Sequence, residues 1–210
     1  MYETGTITTN HFDLSAVANN AASWRSKAPI QLQDWTVDIG NIVEELKGDE
    51  AWNKYGARQT AYRTPHQQID DIWVRYNSID NIKGDLHAFN ARHKSEWYSV
   101  AGTHPRLREL SEEVLEKAGG GTLGGVLITR IPPGGGVAPH TDSGWHASYY
   151  YDKYAVQLQG NQEQAFCFRG HEVRAEPGQV YWFDNQQEHW VINDSDEYRM
   201  TMIVCIRPEE

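Results

Sequence analysis

Between residues 124 and 206 the chain breaks into short apolar runs, none of them long enough for a buried helix. The segments 125–131, 154–159, 165–168, 180–183, 190–192 and 198–206 are rich in β-branched and aromatic residues, and Gly, Pro, Asn and Asp turn signals separate them. Upstream the pattern is helical or mixed. Asp13 stands as an N-cap before Leu14, Val17, Ala18 and Ala21, which predicts a helix to about Trp24, and residues 39–46 predict a weaker helical or mixed segment. Residues 71–76 read as a strand and residues 97–100 as another. Pro105 opens a helix whose apolar stripe is Leu107, Leu110, Val114, Leu115 and Ala118, and Gly119, Gly120 and Gly121 stop it. Several short strands after a helical start predict a mainly β, α+β architecture: an antiparallel barrel or jelly roll buttressed by N-terminal helices on one side.

A length of 210 residues allows one good core, so the chain reads as a single domain, 1–210, with a helical or mixed portion at 1–123 and a β core at 124–210. The formal net charge of -10 speaks against a broad basic surface for nucleic acid. There is no apolar run near the roughly 18 residues of a membrane helix, and the first residues lack a basic stretch followed by an apolar one. The expectation is a cytoplasmic protein without a membrane span. Cys167 and Cys205 sit inside apolar runs, which marks them as reduced core residues.

The chemistry concentrates in Pro139-His140-Thr141-Asp142. On an extended segment, residues i and i+2 point to the same face, so His140 and Asp142 can share one ligand. His189 follows 47 residues after Asp142 and supplies a second imidazole; Arg199 comes ten residues later. Two histidines and one carboxylate make the facial triad of non-haem Fe(II) oxygenases, which leaves coordination positions open. With nine histidines in the chain a single one says little, and the joint spacing is what points to metal. Arg199 opens an almost wholly apolar strand; turned inward it needs an anionic partner, and its planar fork suits a carboxylate.

These residues carry a resemblance. Residues 127–207 are similar to the Fe(II)- and 2-oxoglutarate-dependent oxygenases, and within them to the aspartyl/asparaginyl β-hydroxylase-like branch. It lies in Thr129, Pro133-Gly134, Pro139-His140-Thr141, Pro177-Gly178, Phe183-Asp184, Glu188-His189-Trp190-Val191, Asn193 and Arg199. The resemblance implies a double-stranded β-helix of the jelly-roll, cupin-like kind, with His140, Asp142 and His189 as catalytic iron ligands. Arg199 is then expected on the distal carboxylate of 2-oxoglutarate, with Thr129 near it and Tyr154 and Lys153 as further cosubstrate contacts. The implied reaction consumes O2 and 2-oxoglutarate, releases succinate and CO2, and hydroxylates a C–H bond of an amino acid, a protein side chain or another small substrate. The best-known members of the branch carry glycine where this chain has Asp142, so here the triad is complete, and the loop 143–151 differs from theirs. Trp145, His146, Tyr149 and Trp190 flank ligand positions and, with Arg75, are candidate substrate contacts. Two other readings stay open: a cupin-like metal protein that is an isomerase, a hydrolase or a non-catalytic binder, and an oxygenase of nucleic acid using aromatic stacking.

Overall fold

A computed structural model describes residues 28–60, 63–82 and 89–209; the helix expected near residues 13–24 lies outside them. In chain order the elements are β1 (Ile30–Thr36), α1 (Ile42–Glu45), α2 (Ala57–Thr60), β2 (Asp70–Tyr76), a 3-10 turn (Ile79–Ile82), β3 (Glu96–Trp97), α3 (Val100–Thr103), α4 (Pro105–Lys117), β4 (Thr122–Ile131) and β5 (Gly136–His140). There follow α5 (Trp145–Tyr149), β6 (Asp152–Gln159), β7 (Gln164–Phe168), β8 (His171–Val173), β9 (Gln179–Phe183), β10 (His189–Asn193) and β11 (Arg199–Arg207).

The strands form two antiparallel sheets. The larger has the order β1-β9-β6-β11-β4-β2-β3 and the smaller β5-β10-β7-β8. Neither sheet closes on itself, so the strands form two open antiparallel layers where a closed double-stranded β-helix was expected. Side chains join them where hydrogen bonds do not: Ile131, Ala155, Tyr181 and Phe183 of the larger sheet meet Val137, Phe166, Phe168 and Val191 of the smaller. The opposite face of the larger sheet is covered by helices. Leu107, Leu110 and Val114 of α4 and Ile42 of α1 pack there against Ile72, Val126, Ile128, Val156, Met202 and Val204.

Strand alternation assigns each residue to one of these layers. On β11, Met200, Met202, Val204 and Ile206 enter the helix-covered core, which leaves Arg199, Thr201, Ile203 and Cys205 for the space between the sheets. Pro105 starts α4 at its first turn, and the helix ends where Gly119 and Gly120, at φ 99° and 86°, turn the chain back with Gly120 N–H donating to Leu115 O at 2.9 Å.

Some elements depart from expectation for local reasons. β1 and β8 are edge strands with mostly polar sequences, IQLQDWT and HEV, so they lack an apolar run. β5 holds Pro139, tolerated because β5 is also an edge strand. Of the expected 97–100 strand only Trp97 pairs, together with Glu96, and the chain then turns into α3. The 143–151 stretch contains the short helix α5, which buries His146 and Ala147. Among the described residues no helix is long and apolar enough to cross a membrane.

One buried side chain holds the rim loops together. The Asn193 amide donates to Ile131 O (3.1 Å), Pro132 O (2.9 Å) and Glu197 O (2.8 Å), and its oxygen accepts from Ser195 Oγ at 2.7 Å. Asn193→Ala removes these four hydrogen bonds at once and is expected to cost on the order of 3 kcal/mol, read from urea unfolding midpoints.

Candidate metal centre and its two cavities

His140 ends β5 and His189 begins β10; the two are directly paired across the smaller sheet. Asp142 lies just beyond β5, and its backbone N–H donates to Asn185 O at 2.9 Å. The result is that one ligand atom from each of His140, Asp142 and His189 lies within 4.8 Å of the others, with His140 Nε2 3.6 Å from Asp142 Oδ1.

Both rings are oriented in the same way. His140 Nδ1 contacts Ala138 O at 2.9 Å and His189 Nδ1 contacts Gln187 O at 2.8 Å. A carbonyl can only accept, so Nδ1 carries the proton in each and Nε2 keeps its lone pair for an ion. Burial, and next the charge of His189, hold the His140 pKa below its ordinary value, favouring the neutral, ligating form. Asn185 Nδ2 lies 3.4 Å from Asp142 Oδ2, fixing the carboxylate from behind. The donor set and its prepared tautomers fit a divalent transition metal.

Two cavities meet here, sharing Asp142, His66, Arg58 and Ile203. The narrower, of about 60 Å³, runs from the triad to Arg199, with Thr129, Tyr181 and Phe166 in its wall. Arg199 is 3% exposed. Its guanidinium donates only to neutral oxygens: Thr201 Oγ1 (2.7 Å), Tyr181 OH (2.9 Å) and Gln157 Oε1 (3.1 Å). Among the described residues no carboxylate pairs with it, so a buried cation faces a cavity with its charge uncompensated. Burial raises the Tyr181 pKa, although Arg199 pulls the other way, so the phenol remains an uncharged neighbour.

The wider cavity, about 450 Å³, lies on the other side of Asp142 and is walled by Trp73, Tyr76, Leu127 and Ile203, with Lys153 and Cys205 also lining it.

The sequence matches the model of the family described as aspartyl/asparaginyl beta-hydroxylase over residues 45–208. The chain belongs to the aspartyl/asparaginyl β-hydroxylase family. No curated protein matches. Among solved structures, an oxidoreductase of the 2OG-Fe(II) oxygenase family from Burkholderia pseudomallei is 13% identical, covers 95% of this chain and 92% of its own, and superposes with a TM-score of 0.54, a likeness of fold. A cupin domain from Bordetella pertussis Tohama I is 24% identical over 40% of this chain and 80% of its own, with a TM-score of 0.32.

In this family member the other sequence candidates divide by strand parity. Lys153 faces the wide cavity, but Tyr154, its neighbour on β6, is turned to the helix-covered face, where its ring lies 6.3 Å from Trp35. Tyr154 is therefore not brought to the site. Trp190 alternates with His189 and lines an outer groove with Pro139 and Ile192. Arg75 sits over the Trp97 ring at 5.0 Å and reaches Leu123 O at 3.4 Å, away from both cavities. Trp145 and Tyr149 stack on each other at 4.8 Å beside a separate surface groove. His146 does line the wide cavity, buried, with its Nε2 accepting Gly125 N–H at 2.9 Å. A side chain on Gly125 would clash, since its Cβ would stand 2.8 Å from the Tyr76 ring and 2.9 Å from His146 Nε2.

The fold also brings in residues with no motif to announce them. The His66 ring lies 4.9 Å from that of His140, and Arg58 Nη2 approaches His66 at 3.2 Å. Burial first, then Arg58, push the His66 pKa down to about 2. Gln157, Tyr181 and Thr201 around Arg199 were equally silent. Their signal, in retrospect, is the face shared with Arg199 on three adjacent strands.

Asn185→Ala frees the Asp142 carboxylate and is expected to weaken metal binding by about 10- to 100-fold, measured by Mn(II) titration with electron paramagnetic resonance. A second outcome concerns pH. Burial, then Lys153, lower the His146 pKa to about 2. Above about pH 6.5 the ring is neutral in both folded and unfolded chains; below it the unfolded chain takes up a proton that the folded ring refuses. Stability therefore falls as pH drops from about 6.5 toward 2, by about 1.4 kcal/mol per pH unit for this proton. His146→Gln is expected to flatten that slope by one proton, seen in urea midpoints at about pH 7 and about pH 5.

Proposed function

We propose that this protein is an Fe(II)- and 2-oxoglutarate-dependent dioxygenase, a single domain that hydroxylates a C–H bond of an amino acid, a protein side chain or another small substrate. The observation that carries the reading is Arg199: a buried guanidinium with neutral partners only, at the end of a cavity whose other end is the metal triad. A dicarboxylate with a chelating keto acid at one end and a free carboxylate at the other matches both ends at once.

His140, Asp142 and His189 would hold Fe(II), and Arg199 would bind the distal carboxylate of 2-oxoglutarate through paired charge-assisted hydrogen bonds. Gln157, Thr201 and Tyr181 fix the guanidinium plane in advance, and Thr129 lies in the same wall. Phe166, Phe183, Ile131 and Val191 line the passage and exclude water from it. When bound, iron and 2-oxoglutarate supply oxidative decarboxylation by O2, yielding succinate and CO2 coupled to oxidation of the substrate. With Asp142 completing the triad no coordination place is set aside for a halide, so hydroxylation is the outcome favoured over halogenation. Cys167 and Cys205 are free thiols, consistent with the reducing cytoplasm as the place of work.

Anaerobic addition of Fe(II) and 2-oxoglutarate is expected to produce a weak visible charge-transfer band, and aerobic turnover to form succinate with uptake of O2. A cupin-type isomerase or hydrolase gives neither. Arg199→Ala is expected to weaken 2-oxoglutarate binding on the order of a hundredfold, about 3 kcal/mol, while metal affinity stays within about twofold. Equal loss of both would make Arg199 a structural residue.

A further inference from the structure

The larger sheet buries a second cation. Lys153 is 5% exposed, and the hydrogen bond of its ammonium is to Cys205 Sγ, directly opposite on β11, at 3.0 Å. Sulfur is a weak acceptor, and among the described residues no carboxylate pairs with this ammonium. Burial pulls its pKa down, but Cys205 and Asp142 outweigh that and hold it above the ordinary lysine value. A divalent metal on Asp142 takes that carboxylate out of the balance. A charged group left this way in an apolar interior costs stability unless a ligand completes it.

Where Lys153 points separates it from Arg199. Arg199 lines the narrow cavity and Lys153 the wide one, and the two meet at Asp142. Arg58 and Arg63 also line the wide cavity, and Asp142 is the one acid among its described lining residues. Arg58 lies 3.7 Å from the buried Asp71 carboxylate, whereas Lys153 has no such ion pair among the described residues. Trp73, Tyr76, Leu127 and Ile203 give one part of its wall an apolar surface, beside the polar Thr64, His66, Asn90, Ser143 and His146.

We propose that the primary substrate is a small organic acid whose carboxylate docks on Lys153, with its carbon body against Trp73, Tyr76, Leu127 and Ile203 and a C–H bond presented toward Asp142. Lys153 thereby serves the substrate, not the cosubstrate contact that the sequence resemblance implied. The fate of the bound acid rests on the dioxygenase reading; its binding does not.

The test uses a matched pair, phenylacetate and its neutral isostere phenylacetamide, followed by ligand-observed NMR on the metal-free and the Zn(II)-loaded protein. Phenylacetate is expected to bind the wild type at least tenfold more tightly than the amide, more tightly with Zn(II) bound, and without displacement by saturating 2-oxoglutarate. Lys153→Met, which removes a buried charge at similar volume, is expected to melt no lower than the wild type and to lose at least tenfold in acid binding, and Arg199→Met to keep it. Equal binding of acid and amide by the wild type, displacement by 2-oxoglutarate, or loss in Arg199→Met with retention in Lys153→Met would each overturn the assignment. Because these readouts need neither iron nor turnover, absence of succinate formation would count against the dioxygenase reading while leaving the anion site standing or falling on its own.

Discussion

The register of β11 against β4 and β6 sets nearly everything else in the molecule. β11 is central, flanked by β4 on one edge and β6 on the other, and both of its faces are covered. Its even-numbered residues, Met200 to Ile206, are apolar and enter the helix-covered core; its odd-numbered residues include Arg199, Thr201 and Cys205, which serve the space between the sheets. A slip of one residue would drive a guanidinium into the helix layer and leave methionines at the site, so register is strongly specified. The neighbours obey the same parity: Gly125, Leu127 and Thr129 on β4, and Lys153 on β6, line the cavities, whereas Val126, Ile128 and Val156 pack under the helices. One pairing decision thus places both buried cations and the apolar core together.

This arrangement opposes the general preference of interiors. Two cations sit almost fully buried within a few strands of each other, neither with a carboxylate partner among the described residues. Their hydrogen bonds go to neutral oxygens and one sulfur, which are weaker partners than ionised acids. Stability alone does not explain such a choice. The proposed function would: a ligand carboxylate entering either cavity would meet a cation already stripped of water and held in place. The two cavities share Asp142, so two acids bound on the two cations would face each other across the metal position.

How much of this was legible in the sequence depends on periodicity. The pairing of His140 with Asp142 was expected from i, i+2 spacing on a strand, although β5 ends at His140 and Asp142 stands just beyond it; His189 was named from the joint spacing of the three, and Arg199 as needing an anionic partner if turned inward. α4 was readable from Pro105, its stripe and its terminal glycines. Parity also explains the misplacements. Counting back to β6 without its exact register put Tyr154 and Lys153 together beside the cosubstrate, whereas alternation turns Tyr154 to the helix-covered face and Lys153 to the wide cavity; sequence proximity to His189 promoted Trp190, which alternation turns outward. β1 and β8 went unseen because polar edge strands have no apolar signature, and Arg58 and His66 because the elements around them are short and irregular. Where the strand pattern predicted a barrel or jelly roll and the resemblance a double-stranded β-helix, two open sheets are joined by packing.

The candidate metal position, finally, is built by a device used twice. Each histidine of the triad bends back to the carbonyl two residues before it, Ala138 for His140 and Gln187 for His189, so each imidazole is locked by its own strand end and needs no distant partner. Asp142 is tied to the other segment: Asn185, in the turn leading to β10, accepts its backbone N–H and approaches its carboxylate. The two ligand-bearing segments therefore hold each other in position before any ion arrives, and little of the binding energy need be spent on ordering them. The same tie places Asp142 at the junction of both cavities, where the orientation of a single carboxylate is coupled through Asn185 to the turn carrying His189. A disturbance of that turn is then felt at two of the three ligands at once, while Arg199 and Lys153, held by the larger sheet, keep their places.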